Sequence, residues 1–250
     1  MAGEDTSEFR PKFGSGWRAK LGILVPSVNY VMEPEFNMMA PEGVSIHTAR
    51  MKKSRVHNAE TLVLMAEEAE REAELLGHVA DVIGFGCTSG SFVKGREWGE
   101  ELTKRIEEAA GVPATTTSVA MCEALREVDI RKLSLATPYP DETNRLEKRF
   151  LEENGFEVLS MKGLGCEVSG PQGEYPPQVA YQLGKEVDVD EADGVFISCT
   201  NFRSVEIIEG LERDLCKPVV SSNSATMWKL LKMAAVRGAI DGYGELLRKL

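Results

Sequence analysis

The chain has 250 residues, enough for one large or two small α/β domains. Its 42% hydrophobic and 28% charged residues exclude wholesale disorder. Twenty-nine Lys and Arg against 40 Asp and Glu leave a formal net charge of −11. That sign argues against nucleic acid and anionic lipid as partners, because such binders concentrate positive charge.

Met1 to Gly16 is polar, carries Glu4, Asp5 and Glu8, and reads as a flexible tail rather than a secretory signal. No apolar run approaches the roughly 18 residues of a membrane helix. A cytoplasmic protein is expected.

Beyond Trp17 short apolar runs alternate with longer amphipathic ones. Strands are predicted over 20–25, 44–47 and 81–85. A single long helix is predicted over 60–76, with the charge run from Glu67 to Glu74 as its solvated face. The segment Glu33–Phe36 reads as a helix start whose two carboxylates face solvent. Helices follow over 96–110 and 121–127, then a strand over 132–136, a helix over 141–154 and a strand over 156–159. The pattern ends with helices over 179–187, 204–214 and 226–238, separated by strands over 194–198 and 218–221. Alternation at this spacing predicts parallel sheets with crossover helices.

A shift of the chain by about 112 residues places Leu21 on Leu133, Pro26 on Pro138 and Gly43 on Gly155. The same shift places Asp81 on Asp193, Cys87 on Cys199 and Thr88 on Thr200. The register then slips by about seven, pairing Pro113 with Pro218. The expected architecture is therefore α/β, with two pseudo-symmetric, Rossmann-like parallel-sheet halves and a site in the cleft between them. Residues 17–117 with 221–250 form the first half and 118–220 the second.

In open α/β sheets ligands bind beyond the carboxyl ends of the strands. Cys87 and Cys199 each follow a strand and precede Thr and small residues, so the repeat aims both thiols into one cleft. The five cysteines contain no C-x-x-C pair, and no His neighbours them, which excludes a zinc spacing. Cys122, Cys166 and Cys216 have no repeat-related cysteine and read as structural. The glycines of GFGCTSG do not make a dinucleotide fingerprint, because Ser89 stands where the third glycine is needed. Arg55 and His57, in a polar loop, are weaker candidates for anion binding.

Two thiols on opposite faces of a small substrate allow three reactions. They can racemise a stereocentre, add to an activated double bond, or protonate a carbanion left by decarboxylation. All three need hydrogen-bond donors around an enolate-like charge. Ser27, Asn29, Thr88, Ser89, Thr200 and Asn201 are uncharged donors at predicted strand ends, and Tyr139 stands at the repeat position of Ser27. A free thiol has a pKa of about 8.5, so contacts to sulfur must set how much thiolate is present.

The segments PSVN at 26–29, EPE at 33–35, GCTSGSF at 86–92 and TPYPDETN at 137–144 resemble the aspartate/glutamate racemase superfamily. So do SCTNFRSVEIIEGLE at 198–212 and KPVVSSNSATMW at 217–228. Within it the chain is most similar to the maleate cis-trans isomerase and arylmalonate decarboxylase branch. The resemblance implies an enzyme without cofactor or metal acting on a small carboxylate. It implies Cys87 as nucleophile, Cys199 as proton donor, and Asn29 and Tyr139 as carboxylate binders. Decarboxylases of the branch have Gly at the first cysteine position. Isomerases have an asparagine in the stretch that reads GLGCEVSGPQGEYPP here, which contains none. The expected reaction is cis-trans isomerisation of a maleate-like dicarboxylate. Amino-acid racemisation and malonate decarboxylation are the alternatives, and a homo-oligomer is expected.

Overall fold

The computed structural model describes residues 14–54, 56 and 58–250. Most of the tail, and the anion-binding candidates Arg55 and His57, lie outside the described residues. Strand β1 (Ala19–Pro26) leads into helix α1 (Met32–Met39) and strand β2 (Val44–Met51). Helices α2 (Ala59–Glu67) and α3 (Ala69–Gly77) precede strand β3 (Val82–Phe85). A short helix α4 (Thr88–Phe92) and helix α5 (Trp98–Ala110) then lead to strand β4 (Ala114–Thr116). Helix α6 (Thr117–Glu127) follows.

Strand β5 (Lys132–Thr137), helix α7 (Asp141–Glu153), strand β6 (Glu157–Gly163) and helix α8 (Pro177–Val187) come next. Strand β7 (Gly194–Ile197), helix α9 (Ile208–Leu215), strand β8 (Val219–Ser221), helix α10 (Ser222–Met233) and helix α11 (Glu245–Arg248) complete the chain.

The strands form two four-stranded parallel sheets, ordered β2-β1-β3-β4 and β6-β5-β7-β8. Repeat and register agree: Leu21 pairs with Val82, and Leu133 with Gly194, each partner shifted by 112 residues. Asp81 and Asp193 accept from the N–H groups of Lys20 and Lys132, tying corresponding strand starts together. Gly43 and Gly155 take φ +83° and +86° at matching turns, a region open to glycine at little cost. The slip of seven also has a structural counterpart. Glu107 accepts from the Ala114 N–H, and Glu212 from the Val219 N–H. The inner strands β3 and β7 are wholly buried, as expected where helices cover both faces.

Several expectations need correction. The long helix breaks at Glu68 into α2 and α3, although Ala69 and Ala73 keep its apolar face buried. Asn58 and Thr61 cap α2 reciprocally, so the helix starts one residue earlier than expected. Strand β4 is only three residues long, too short for a periodicity signal. Thr116 and Ser221 cap α6 and α10, moving both helix starts four residues upstream of the apolar runs. Helix α10 packs on β3, β4 and α6, while α6 reaches β8, so this helix pair joins the halves. Among the described residues no helix is long and apolar enough to cross a membrane.

Glu35 is the largest departure on α1. Rather than facing solvent it is 3% exposed, with Oε1 accepting from the N–H groups of Ser204 and Val205 and Oε2 from Asn223. Burial pushes its carboxyl up to about 7, against these three lowering contacts. Glu35→Ala would orphan three buried donors. It should therefore lower stability by about 3 kcal/mol in denaturant unfolding, since an orphaned buried donor costs about 1–3 kcal/mol. The pH dependence has a defined sign. A carboxyl raised in the folded state stabilises below its ordinary value of 4.5, and that contribution disappears as pH rises through about 7. Glu35→Gln should flatten that part of the stability curve.

Candidate active site

Every strand end that faces the cleft contributes to one cavity of about 40 Å³. Pro26, Val28 and Asn29 follow β1, Lys53 follows β2, and Cys87, Thr88 and Ser89 follow β3. From the second half come Tyr139 after β5, Ser169, Gly170 and Gln172 after β6, and Cys199, Thr200 and Asn201 after β7. Eight of the nine residues singled out in the sequence line it. The ninth, Ser27, does not. It is exposed on a neighbouring groove with Arg50 and Lys52, and its Oγ accepts from the Lys53 N–H at 3.1 Å.

The two thiols are 6% and 9% exposed. Each sulfur receives a backbone N–H from the turn that follows it, Gly90 for Cys87 and Asn201 for Cys199. The turn amides thus point at the sulfurs rather than at empty space. Ser89 Oγ lies 3.9 Å from Cys87 Sγ, and the Tyr139 hydroxyl hydrogen-bonds the Cys199 sulfur. Burial raises both thiols, Cys199 to about 12, while the Lys53 charge acts downward on Cys87.

The repeat does not make the thiols equivalent. Cys87 has an ordinary extended backbone at φ −142°, whereas Cys199 has φ +92°. A non-glycine residue there carries of order 1–3 kcal/mol of strain and needs surrounding contacts to hold it. Ser222 Oγ accepts from the Cys199 N–H at 3.0 Å and from Thr88 Oγ1 at 2.9 Å, coupling the two turns.

The polar lining is braced across the halves. Asn29 Nδ2 donates to Thr200 Oγ1, and Thr200 Oγ1 donates to the Gly86 carbonyl. Asn29 Oδ1 accepts from Val31 and Met32 at the start of α1, leaving its second amide N–H as a donor. Asn201 accepts from the Tyr30 N–H and donates to the Gly170 carbonyl. Gln172 spends its amide within its own loop, on the Gly170 N–H and the Val168 carbonyl.

Lys53 was not singled out in the sequence. It is 8% exposed, and its Nζ donates to the Ser54 and Val56 carbonyls and to Thr61 Oγ1. Burial lowers its pKa, opposed by Cys87. The strand-end rule that located the cysteines applies equally to residues just past β2 and β6. Applied there it finds Lys53 and the Ser169–Gln172 loop. The remaining thiols sit apart from the cavity: Cys122 is buried on α6, Cys166 is half-buried beside Tyr175, and Cys216 is exposed.

The arylmalonate decarboxylase family model matches residues 21–247. This chain belongs to that family. It is 33% identical over 172 residues to arylmalonate decarboxylase of Bordetella bronchiseptica, covering 67% of this chain and 71% of the relative. It is 26% identical over 241 residues to maleate isomerase of Pseudomonas putida, covering 91% of this chain and 96% of the relative. Its fold is similar to that of maleate cis-trans isomerase from Nocardia farcinica, solved as a cysteine-to-serine variant with a covalently bound succinylcysteine intermediate. The TM-score is 0.86 at 24% identity, over 92% of this chain and 98% of the other. The similar proteins thus carry two different activities.

Proposed function

We propose that the protein is a cis-trans isomerase of a small unsaturated dicarboxylate of the maleate class, acting through covalent addition of Cys87. The observation that carries this reading is the pair of buried thiols opening into one cavity, one beside a lysine and the other beside a tyrosine. A decarboxylase needs one thiol to return a proton. A second thiol at the first repeat position has a use only when a bond to carbon forms or two protons move.

Mechanistically, the Cys87 thiolate attacks one olefinic carbon, and the π electrons move onto the neighbouring carbon and its carboxylate. The second amide N–H of Asn29 supplies a donor for that developing charge. The Cys199 thiol then delivers its proton to the carbon, giving a saturated succinyl thioether. The former double bond is now single and rotates. The Cys199 thiolate takes back the proton, the C–S bond breaks, and the trans diacid leaves as the Cys87 thiolate returns. Oxidation states and protons balance without a co-reactant.

The cavity size supports a small ligand. At about 40 Å³ the cavity is a confined space beside both thiols. Incubation with maleate, followed by proton NMR, should yield fumarate. Incubation with phenylmalonate should release little carbon dioxide. Carbon dioxide without fumarate would replace this reading with decarboxylation. Solvent deuterium at the α-carbon of aspartate or glutamate would replace it with racemisation.

A further inference from the structure

Glu147 sits on α7, outside the cavity lining, and is 0% exposed. Ser198, the residue before Cys199, donates its Oγ to Glu147 Oε1 at 2.5 Å. Glu147 Oε2 is buried with no hydrogen-bond partner among the described residues. Its repeat counterpart is Glu35, 112 residues earlier, which three donors saturate at both oxygens. The same carboxyl therefore has opposite surroundings in the two halves. Glu35 is a satisfied latch, while Glu147 has one donor and an empty second oxygen.

We propose that Glu147 is a positioning residue for Cys199. With its proton in place it lets the thiol cycle between S–H and thiolate, and once ionised it locks the sulfur as S–H. The inference deepens the isomerase reading, which needs Cys199 to give and recover one proton. Ser198 transmits the geometry, because it anchors the chain immediately before the strained Cys199 turn. The electrostatics follow from burial. A negative charge on Glu147 raises the buried Cys199 thiol, so ionisation of one suppresses the other. Burial pushes Glu147 up to about 8, with only Ser198 acting downward. The titratable groups that feel Glu147 are Cys199, Tyr139 and Cys122. Cys199 also faces Cys87 and Tyr139, and Cys122 also feels Arg126, Glu123 and Arg96. Glu147→Gln removes the charge while its amide oxygen still accepts from Ser198.

The test needs no substrate, so its outcome is independent of which reaction the site performs. Iodoacetamide alkylation of Cys199 is followed by peptide-resolved mass spectrometry from pH 6 to 10, in wild type and Glu147→Gln. Near pH 6 the two rates should match. Above pH 8 the variant should react roughly tenfold faster, about one pK unit of relieved repulsion. A rate ratio that stays flat across the range overturns the proposal, since a merely structural effect would not switch on with pH. Glu147→Leu gives the same readout should the Gln variant fold poorly. In the wild-type chain itself, a protonated-carboxyl infrared band should disappear as pH rises through 8, and its absence below pH 7 would equally overturn the assignment.

Discussion

Cys87→Ser should lose both the covalent adduct and turnover, whereas Cys199→Ser should keep the adduct and lose turnover. Removal of a covalent nucleophile typically lowers rate by roughly 10⁴-fold or more. A serine hydroxyl at position 87 cannot ionise usefully beside Lys53, so addition stops before any intermediate forms. At position 199 the hydroxyl is a much weaker acid and base than the thiol. Addition still proceeds, with water or solvent exchange supplying the proton slowly, but the elimination step loses its base. Intact-protein mass spectrometry with maleate should therefore show a maleate-sized mass gain on Cys199→Ser and none on Cys87→Ser. The reversed pattern would exchange the roles of the two thiols.

Lys53→Met should slow alkylation of Cys87 at pH 7 by about 10–100-fold, with Cys199 little affected. A cation facing a thiolate typically lowers its pKa by one to two units, and each unit changes the thiolate fraction about tenfold. Lys53 is the charged group that acts downward on the first thiol, against the larger upward effect of burial. The Gly90 N–H and Ser89 hydroxyl act in the same downward direction, so reactivity should fall rather than vanish. Lys53→Arg keeps the charge and should retain most of it. The repeat counterpart of Lys53 is Gly165, so no equivalent cation serves Cys199. Equal alkylation of Cys87 in wild type and Lys53→Met would remove this role from the lysine and leave the turn amides as the source of reactivity.

The proposed reaction is asymmetric on a near-symmetric scaffold, and the neighbours of the two thiols differ accordingly. The repeat supplies two thiols on matching turns. The Lys53 cation on one side acts toward thiolate at Cys87, and burial on the other keeps Cys199 as the thiol. One sulfur attacks and the other carries the proton because their neighbours differ, not because the cysteines do.

The sequence by itself determined what local spacing encodes. Buried inner strands are continuous apolar runs, so β1, β3, β5 and β7 were legible, and a common shift of 112 residues placed Cys87 and Cys199 on equivalent turns. Thr88, Ser89, Thr200 and Asn201 came with them, since they are the next residues along the chain. Asn29 and Tyr139 were reachable because their strands end at matching prolines. Elements with weak periodicity were not legible, as with the three-residue β4 and the break at Glu68.

Only the tertiary structure decided which polar side chains meet. Glu35 reaches donors about 170 to 190 residues away, and Glu147 meets Ser198 51 residues on. Ser27, by contrast, turns outward to hold Lys53. A glutamate early in a helix is ordinarily solvated, and nothing local distinguishes one that packing will bury. The charge environment of each thiol depends on such long-range neighbours, because desolvation strengthens every interaction that burial leaves in place. Spacing along the chain therefore located the two sulfurs, and packing across the halves set the difference between them.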